Sequence, residues 1–354
     1  IVNQKNNFDL LRFVLASMVF LVHVHVLSGA QELVFLARYI SSDLAVKGFF
    51  VVSGFLIFRS FEASASVRDY FEKRVRRIYP AYACVIIVCA VAGGFITQLR
   101  WSDYFSPALA KYLAANLVFL NFLAQELPGV FTGNPLQAVN GALWTLKIEV
   151  AFYCVVPFIA LLFRRYGTVA ASMVLYVMSV IYLTGFEAMA EHTGRPYFAM
   201  LARQLPGQLT YFIVGGLFHY HELVMRHRAL PIFLVSLTLL LFRVPLIDPI
   251  LTPVCLGFVV MYFAMGIPFL GNFGRHGDFS YAIYIFHYPV LQFLVWKGLF
   301  AWNVTFAFIL AIAVVLFLAW VSWHLVERRW LRKSSHYVLS TADATQSAEG
   351  AGTR

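Results

Sequence analysis

Residues 8–25 read FDLLRFVLASMVFLVHVH, an almost unbroken apolar run that contains four ionisable side chains. A helix that crosses a bilayer needs about 20 mostly apolar residues, and this run, taken as 10–29, has that length. It is too long for the apolar part of a signal peptide, and Arg12 and the two histidines interrupt it. The stretch therefore predicts a membrane-spanning helix that carries polar groups.

The composition of the whole chain extends this prediction to most of its 354 residues. Hydrophobic residues make up 61% and charged residues 12%, whereas soluble proteins average about 45–50% and about 25%. The cysteines lie in apolar runs without the spacing of a disulfide framework or a zinc site, so no metal is expected. The basic excess is explained by membrane orientation, so no nucleic acid partner is expected. We therefore predict an all-α, multi-pass membrane protein.

Apolar segments of sufficient length predict a transmembrane helix bundle of about ten spans. They are 10–29, 44–61, 78–98, 142–163, 168–186, 206–221, 229–246, 249–268, 279–298 and 303–325. With both termini cytoplasmic, about two thirds of the 27 Lys and Arg residues fall on the cytoplasmic side, as the positive-inside rule expects. Residues 1–330 then form a transmembrane domain, and 331–354 form a disordered cytoplasmic tail. Residues 104–123 are predicted to be an interfacial or re-entrant helix on the outer face, because an eleventh span would place Arg164 and Arg165 outside.

The polar residues of the first span divide between two faces of the helix. Arg12 and His23 are eleven residues apart, which is three turns plus about 20°, so they share a face at a separation of about 16 Å. Asp9 falls near the same stripe, and His25 lies on the opposite side. Either Asp9 and Arg12 form an interfacial ion pair while His23 hydrogen-bonds a neighbouring helix, or this face is functional. In the second case His23, rather than His25, is the functional histidine.

The densest arginine cluster of the chain lies in residues 68–82, RDYFEKRVRRIYPAY. Arg74, Arg76 and Arg77 stand just before an apolar span. Clustered arginines at a cytoplasmic interface set topology or bind anionic lipid headgroups. Arginine is also the preferred residue for bidentate binding of phosphate. The cluster alone leaves both interpretations open.

A carboxylate, Glu149, lies about seven residues into the fourth predicted span. This position places it at a depth similar to that of His23, in the outer half of the bilayer. We expect both side chains to face a common cavity, because carboxylates inside a membrane usually have a functional role. A structural contact of Glu149 with Lys147 or Arg243 is the alternative.

Two further polar residues stand inside predicted spans. Ser53 precedes a glycine, a pair that suits close helix packing, and no nucleophile elbow surrounds it. His287 precedes Tyr288 and Pro289, and it is either a hydrogen-bonding residue at a helix break or a cavity residue.

Six strings, in order, resemble the membrane acyltransferase family 3 from residue 8 to about 330. They are DLLRFVLASMVFLVH (9–23), FFVVSGFLIF (49–58), YFEKRVRRIYP (70–80), LWTLKIEVAFY (143–153), SYAIYIFHYPV (280–290) and SWHLVER (322–328). Each string is weak alone, but the ordered set is specific. Lys47, where many relatives have Asp or another residue, and Lys147 depart from the family pattern, which leaves the acceptor open.

The resemblance implies transfer of an acyl group, most often acetyl from cytoplasmic acetyl-CoA, to a hydroxyl of a glycan or lipid-linked sugar. Exopolysaccharide, O-antigen and lipooligosaccharide are acceptors of this kind, and the bacterial inner membrane is the expected location. Acyl-CoA is then a co-substrate rather than a bound cofactor, membrane lipid surrounds the protein, and a homo-oligomer is left open.

The resemblance also implies roles for individual residues. His23 would be the general base, and Glu149 would hold or charge it. Arg12 would help to bind the donor or keep the cavity electropositive, and Asp9 would orient Arg12. Arg74, Arg76 and Arg77 would bind the phosphates of the donor. The candidates for the lining of the substrate cavity are Ser53, Lys47, Trp144 and His287.

A polytopic transporter or exporter of a glycan or a small anionic solute is the main alternative. It too would have many spans and an intramembrane Arg, His and Glu set. The sequence shows no inverted repeat, and its arginine cluster lies on one side, which favours the enzyme. A scaffold for polysaccharide assembly would explain the spans but not Arg12, His23 and Glu149.

Overall fold

A computed structural model describes residues 6–221, 229–242 and 248–332, and no strand occurs among them. The helices are α1 (Phe8–Ser28), α2 (Val34–Tyr39), α3 (Ser42–Glu62), α4 (Val67–Ile96), α5 (Trp101–Tyr104), α6 (Pro107–Leu117), α7 (Trp144–Tyr166), α8 (Thr168–Thr193), α9 (Pro196–Ala202), α10 (Leu205–His221), α11 (Ala229–Phe242), α12 (Thr252–Met261), α13 (Ser280–Trp296), α14 (Leu299–Trp302), α15 (Val304–Ser322) and α16 (Arg328–Trp330). The predicted all-α class is confirmed for these residues. Arg243 and nearly all of the predicted tail, from 333 on, lie outside the described residues.

Six stretches within the described ranges are long and apolar enough to cross a membrane. They are Phe8–Ser28, Gln31–Glu62, Val67–Ile96, Gly141–Tyr166, Thr168–Thr193 and Val304–Trp330. The other four predicted segments also contain helices, but α10, α11, α12 and α13 have 17, 14, 10 and 17 residues, fewer than the about 20 of a straight crossing. The chain is thus a multi-pass membrane protein. The total of ten spans and the cytoplasmic termini stay predictions.

The segment 104–123 contains a helix too short to cross a bilayer. Its helix, α6, has 11 residues and so rises about 16 Å, roughly half of a hydrocarbon core of about 30 Å. The structure thus shows no helix of spanning length in this segment. Whether α6 lies on the membrane or re-enters it stays a prediction.

The chain divides into two compact units, of which the first consists of Ile1–Leu11, Leu44–Phe71 and Ile148–Gly271. In this unit α3 crosses α10 with the two backbones in contact. A Cβ on Gly54 would lie 2.0 Å from the carbonyl oxygen of Phe212, and a Cβ on Gly215 would lie 2.0 Å from that of Val51. Small residues allow such crossings in lipid, where van der Waals packing replaces the hydrophobic effect between helices.

The second unit consists of Arg12–Asp43, Glu72–Lys147 and Asn272–Arg354. In it α1 and α13 run in the same direction, because Arg12 meets Asp278 just before α13, while His23 meets His287 further along both helices. The helix α15 packs on α13. It buries a stripe of small side chains at four-residue spacing, Ala307, Ala311, Val315 and Ala319.

Pro289 interrupts the hydrogen bonding of α13. Proline has no N–H, so the carbonyl of Ile285, four residues earlier, loses its helical donor. The side-chain amide of Asn140 donates to that oxygen at 2.8 Å. Gln292 in turn donates to the carbonyl of Leu136 at 2.6 Å. These bonds join the loop before α7 to both halves of α13.

Candidate active site

Two histidines form a hydrogen-bonded pair in the second unit. Nδ1 of His23, on α1, lies 2.7 Å from Nε2 of His287, on α13. The rings are stacked, with their planes 15° apart and their centroids 5.0 Å apart. His287 is fully buried, whereas His23 is partly exposed. The pair therefore presents one accessible imidazole that is backed by a second.

His25 has a different environment from His23. Its Nδ1 lies 2.9 Å from the carbonyl oxygen of Ala30, just beyond the end of α1. The ring thus makes a local contact at a helix terminus, where carbonyl groups lack helical partners. The sequence leaves open whether His23 hydrogen-bonds a neighbouring helix or serves a functional site. The structure contains this bond, and it also leaves His23 partly exposed.

Asp278, just before α13, forms ion pairs with two arginines. Its Oδ2 lies 3.2 Å from Nη1 of Arg12 and accepts a hydrogen bond from Nη2 of Arg77. Its Oδ1 accepts hydrogen bonds from the backbone N–H and the hydroxyl of Ser280. Glu327 lies 3.7 Å from Nη1 of the same Arg77. Two arginines and two acidic side chains thus lie together in one group.

The pKa of Asp278 lies well below its usual range. Burial alone would raise this pKa, but the guanidinium groups of Arg12 and Arg77 and the two hydrogen bonds from Ser280 stabilise the ionised form and outweigh burial. Asp278 therefore stays a carboxylate at physiological pH and compensates the two arginines. The sequence predicts that Asp9 orients Arg12, and the structure shows that Asp278 also forms an ion pair with Arg12.

Another member of the arginine cluster lies at the surface. Nε of Arg76 is 2.9 Å from Glu72, one turn earlier on α4, and Nη2 of Arg332 lies 2.8 Å from the other oxygen of that carboxylate. The side chains of Arg76 and Glu72 are 44% and 42% exposed. The predicted donor-binding cluster is therefore divided, since Arg77 belongs to the buried group around Asp278.

Glu149, in the first unit, accepts hydrogen bonds from two hydroxyl groups. Oγ of Ser53, on α3, lies 2.8 Å from Oε1 and 2.9 Å from Oε2, and the hydroxyl of Tyr153 lies 3.0 Å from Oε1. A carboxylate in apolar surroundings needs such donors, since its unpaired burial is costly. Ser53 is thus a donor to Glu149 as well as a small residue beside Gly54. The predicted action of Glu149 on His23, a residue of the second unit, stays a prediction.

The two lysines that depart from the family pattern both lie over aromatic rings. Nζ of Lys47 is 5.4 Å from the ring centroid of Tyr211, and Nζ of Lys147 is 4.7 Å from that of Phe122. Cation–π attraction of this kind lowers the cost of a cation in apolar surroundings.

Three more residues predicted for the site are partly buried. Arg74 lies on α4, Trp144 begins α7, and Asp9 lies in the first turn of α1. Their predicted roles stay predictions. In the described ranges, no group of three or more His, Cys, Asp or Glu side chains could hold a metal ion.

Sequence reasoning missed Asp278, Ser280 and Tyr153. The order Gly-Asp-Phe-Ser before an apolar run contains a signal for the first two, because Asp and Ser are typical of helix starts. Nothing in that order shows that Asp278 reaches Arg12. Tyr153 stands one turn after Glu149 on α7, at the spacing where helical side chains meet, and this signal was available.

Comparison with known proteins extends the resemblance over nearly the whole chain. A family model described as an acyltransferase domain matches residues 5–324. A protein of Shigella phage Sf6 named O-acetyl transferase is 28% identical over 344 residues, which cover 94% of this chain and 98% of the relative. Nodulation protein 10 of Rhizobium leguminosarum bv. viciae is 26% identical over 358 residues, with 92% and 93% covered. No solved structure matches the chain.

Proposed function

This chain belongs to the membrane acyltransferase family 3, and from that premise we propose that it is an O-acetyltransferase of a bacterial inner membrane. It moves acetyl from cytoplasmic acetyl-CoA to a hydroxyl of a cell-surface or lipid-linked glycan. The relative named O-acetyl transferase, similar over nearly the full length of both chains, supports the type of reaction. The observation that carries the proposal is the pair of His23 and His287, because it presents a partly exposed imidazole among the helices of the second unit.

His23 acts as the general base in the proposed reaction. Its Nε2 accepts the proton of the acceptor hydroxyl while the hydroxyl oxygen attacks the carbonyl carbon of the acetyl thioester. The C–O bond of the product forms as the C–S bond of the thioester breaks. The imidazolium of His23 then gives its proton to the CoA thiolate, which leaves as the thiol. A positioned base of this kind contributes about 10²- to 10⁴-fold to the rate.

The donor phosphates are assigned to the other end of the first helix. Arg12 and His23 are about 16 Å apart along α1, which suits a donor with a charged nucleotide at one end and a thioester at the end of an extended arm. The charged side chains of this end include Arg12, Arg74, Arg76, Arg77, Arg332, Glu72, Asp278 and Glu327. Arginines exceed carboxylates, and guanidinium groups bind phosphate in a bidentate manner. We therefore assign the phosphates to the arginines of this end, among them Arg74, Arg76 and Arg77 of α4.

The common direction of α1 and α13 supports the ten-span arrangement. Each crossing reverses the direction of the chain, so two parallel spans have an odd number of crossings between them. In the ten-span arrangement α1 and α13 are the first and ninth spans, and both run outward. Arg12 then lies near the cytoplasm and His23 toward the outer side, so that a cytoplasmic donor and an outer acceptor approach from opposite ends.

A matched pair of histidine variants tests the proposal. Membranes containing His23→Ala, His25→Ala or the wild-type protein are given radiolabelled acetyl-CoA together with the glycan of the host cell. We expect His23→Ala to lose acetyl transfer by at least about 10²-fold. His25→Ala should keep it, because its ring hydrogen-bonds a carbonyl group just beyond the helix end. Full transfer by His23→Ala, at equal protein level, would show that another group is the base.

A further inference from the structure

We propose that His287 is a positioning residue that fixes the tautomer of His23 and so leaves Nε2 of His23 as the basic nitrogen. The inference rests on the proposed function, in which His23 is the base. It assigns to His287 a role in the reaction without contact to the substrate.

The carbonyl of Ile283 determines where the proton of His287 lies. Nδ1 of His287 is 3.1 Å from that oxygen, and a carbonyl oxygen can only accept a hydrogen bond. Nδ1 of His287 therefore carries the hydrogen. In a neutral imidazole the other nitrogen is then a bare acceptor, so Nε2 of His287 is an acceptor.

The same logic continues to His23. Its Nδ1 lies 2.7 Å from the acceptor nitrogen of His287, so Nδ1 of His23 must donate. Nε2 of His23 then keeps its lone pair, which is the nitrogen that can take a proton from a hydroxyl. The carbonyl oxygen of Ile283 cannot donate, and this fixes the direction of both hydrogen bonds, from His287 to Ile283 and from His23 to His287. In other proteins too, the group that is hydrogen-bonded to one ring nitrogen of a histidine determines which nitrogen carries the proton.

The surroundings of His287 hold this arrangement in place. The residue is 0% exposed, and the rings of Phe20 and Tyr284 meet its ring edge-on at centroid distances of 6.2 and 5.9 Å. Asn140 donates to the carbonyl of Ile285, two residues before His287, and so closes the gap in the helix that Pro289 opens. A residue so fixed can orient its neighbour at little entropic cost during the reaction.

Two substitutions at position 287 separate positioning from packing. His287→Gln keeps an amide oxygen that can accept from Nδ1 of His23, whereas His287→Met fills the space without a comparable acceptor. We expect His287→Met to lower kcat by about 10²- to 10⁴-fold, which is the contribution of a correctly positioned base. The KM for acetyl-CoA should change less than about twofold, and His287→Gln should retain at least about tenfold more activity than His287→Met. A packing role alone would instead lower the melting temperature and leave the two variants with similar kcat.

Nitrogen spectroscopy gives a readout that does not depend on acyl transfer. In protein labelled with ¹⁵N-histidine, the signals that disappear in His23→Ala belong to His23. We expect them to report a protonated Nδ1 and a bare Nε2 in the wild type, and a shift toward the other tautomer in His287→Met. An unchanged tautomer, or full kcat in folded His287→Met, would overturn the inference while leaving the proposed function intact. If His23→Ala keeps full transfer while the tautomer still depends on His287, the proposed function fails and the pairing stands.

Discussion

Substituting Asp278 with asparagine removes the carboxylate that compensates Arg12 and Arg77. The side chain is 2% exposed and lies 3.2 Å from Nη1 of Arg12. At that separation and an effective dielectric constant of about 20, one pair of unit charges attracts by about 5 kcal/mol. Asparagine keeps an oxygen for the bonds from Ser280, so the charge is what is lost. Removing one partner of a buried ion pair costs about 3–5 kcal/mol, and we expect this loss for Asp278→Asn.

The assay is the apparent melting temperature of the protein in detergent, read from the folded peak in size-exclusion chromatography after heating. Glu72→Gln is the matched control. Its carboxylate also contacts two arginines, but it is 42% exposed, and exposed pairs contribute about 0–1 kcal/mol. We expect Asp278→Asn to melt well below both Glu72→Gln and the wild type. Equal melting of the two variants would refute the idea that Asp278 holds the buried group together.

The pH dependence follows from the lowered pKa of Asp278. A carboxyl group with a lowered pKa in the folded protein stabilises it above the unfolded pKa, about 3.9, and loses this effect only as the pH falls through the folded value. That folded value lies well below the usual range. Because Glu327 contacts the same Arg77, both proteins are compared in a Glu327→Gln background, where the difference in melting temperature between the Asp278→Asn variant and the protein that retains Asp278 should be the same at pH 5 and pH 8. A difference that disappears at pH 5 would contradict the lowered pKa.

Three further outcomes are expected. Gly54→Ala should destabilise the protein by about 1–3 kcal/mol through overpacking, since its Cβ would meet a backbone oxygen at 2.0 Å, whereas Gly185→Ala, with nothing within 4 Å, should be neutral or stabilising in thermal melts. Asn140→Ala should lower stability by about 1–3 kcal/mol because it leaves a buried carbonyl without its donor, and exposed Gln137→Ala should not. Acetyl-CoA at about 100 times its Kd should stabilise the protein by about 2.7 kcal/mol, and Arg74→Gln should reduce this effect. Absence of any shift with CoA or acetyl-CoA would favour the transporter.

The helices were predictable from composition because lipid forces the backbone to satisfy its own hydrogen bonds. Each of the ten predicted segments contains a helix in the structure, as the lack of water in a bilayer requires. The ends of helices were less predictable. Helix α8 continues past the apolar run to Thr193, where Gly194 in the left-handed conformation ends it, because polar side chains outside the membrane do not stop a helix and a glycine cap does.

The sequence identified residues of the candidate site more readily than the residues that contact them. Arg12 and His23 stood out because a charged group inside an apolar run is costly and so has a reason to be there. Helical periodicity, however, gives only the face of the helix to which a residue belongs. It offered Asp9 as the partner of Arg12, three residues away, and could not reveal that the fold brings Asp278 and His287 to the same helix.

The parallel pairing of α1 with α13 has a consequence for the biosynthesis of the chain. His23 and His287 are 264 residues apart, so at about 5–20 residues per second the ribosome needs about 13–53 s to make the second after the first. For that interval the newly inserted first helix carries Arg12 and His23 without Asp278 and His287. A charged side chain near the bilayer centre costs about 2.5–3.5 kcal/mol even on the most lenient scale. The nascent helix must therefore be kept beside the insertion machinery or with its arginine among lipid headgroups, and cells with a weakened insertase should lose this protein early.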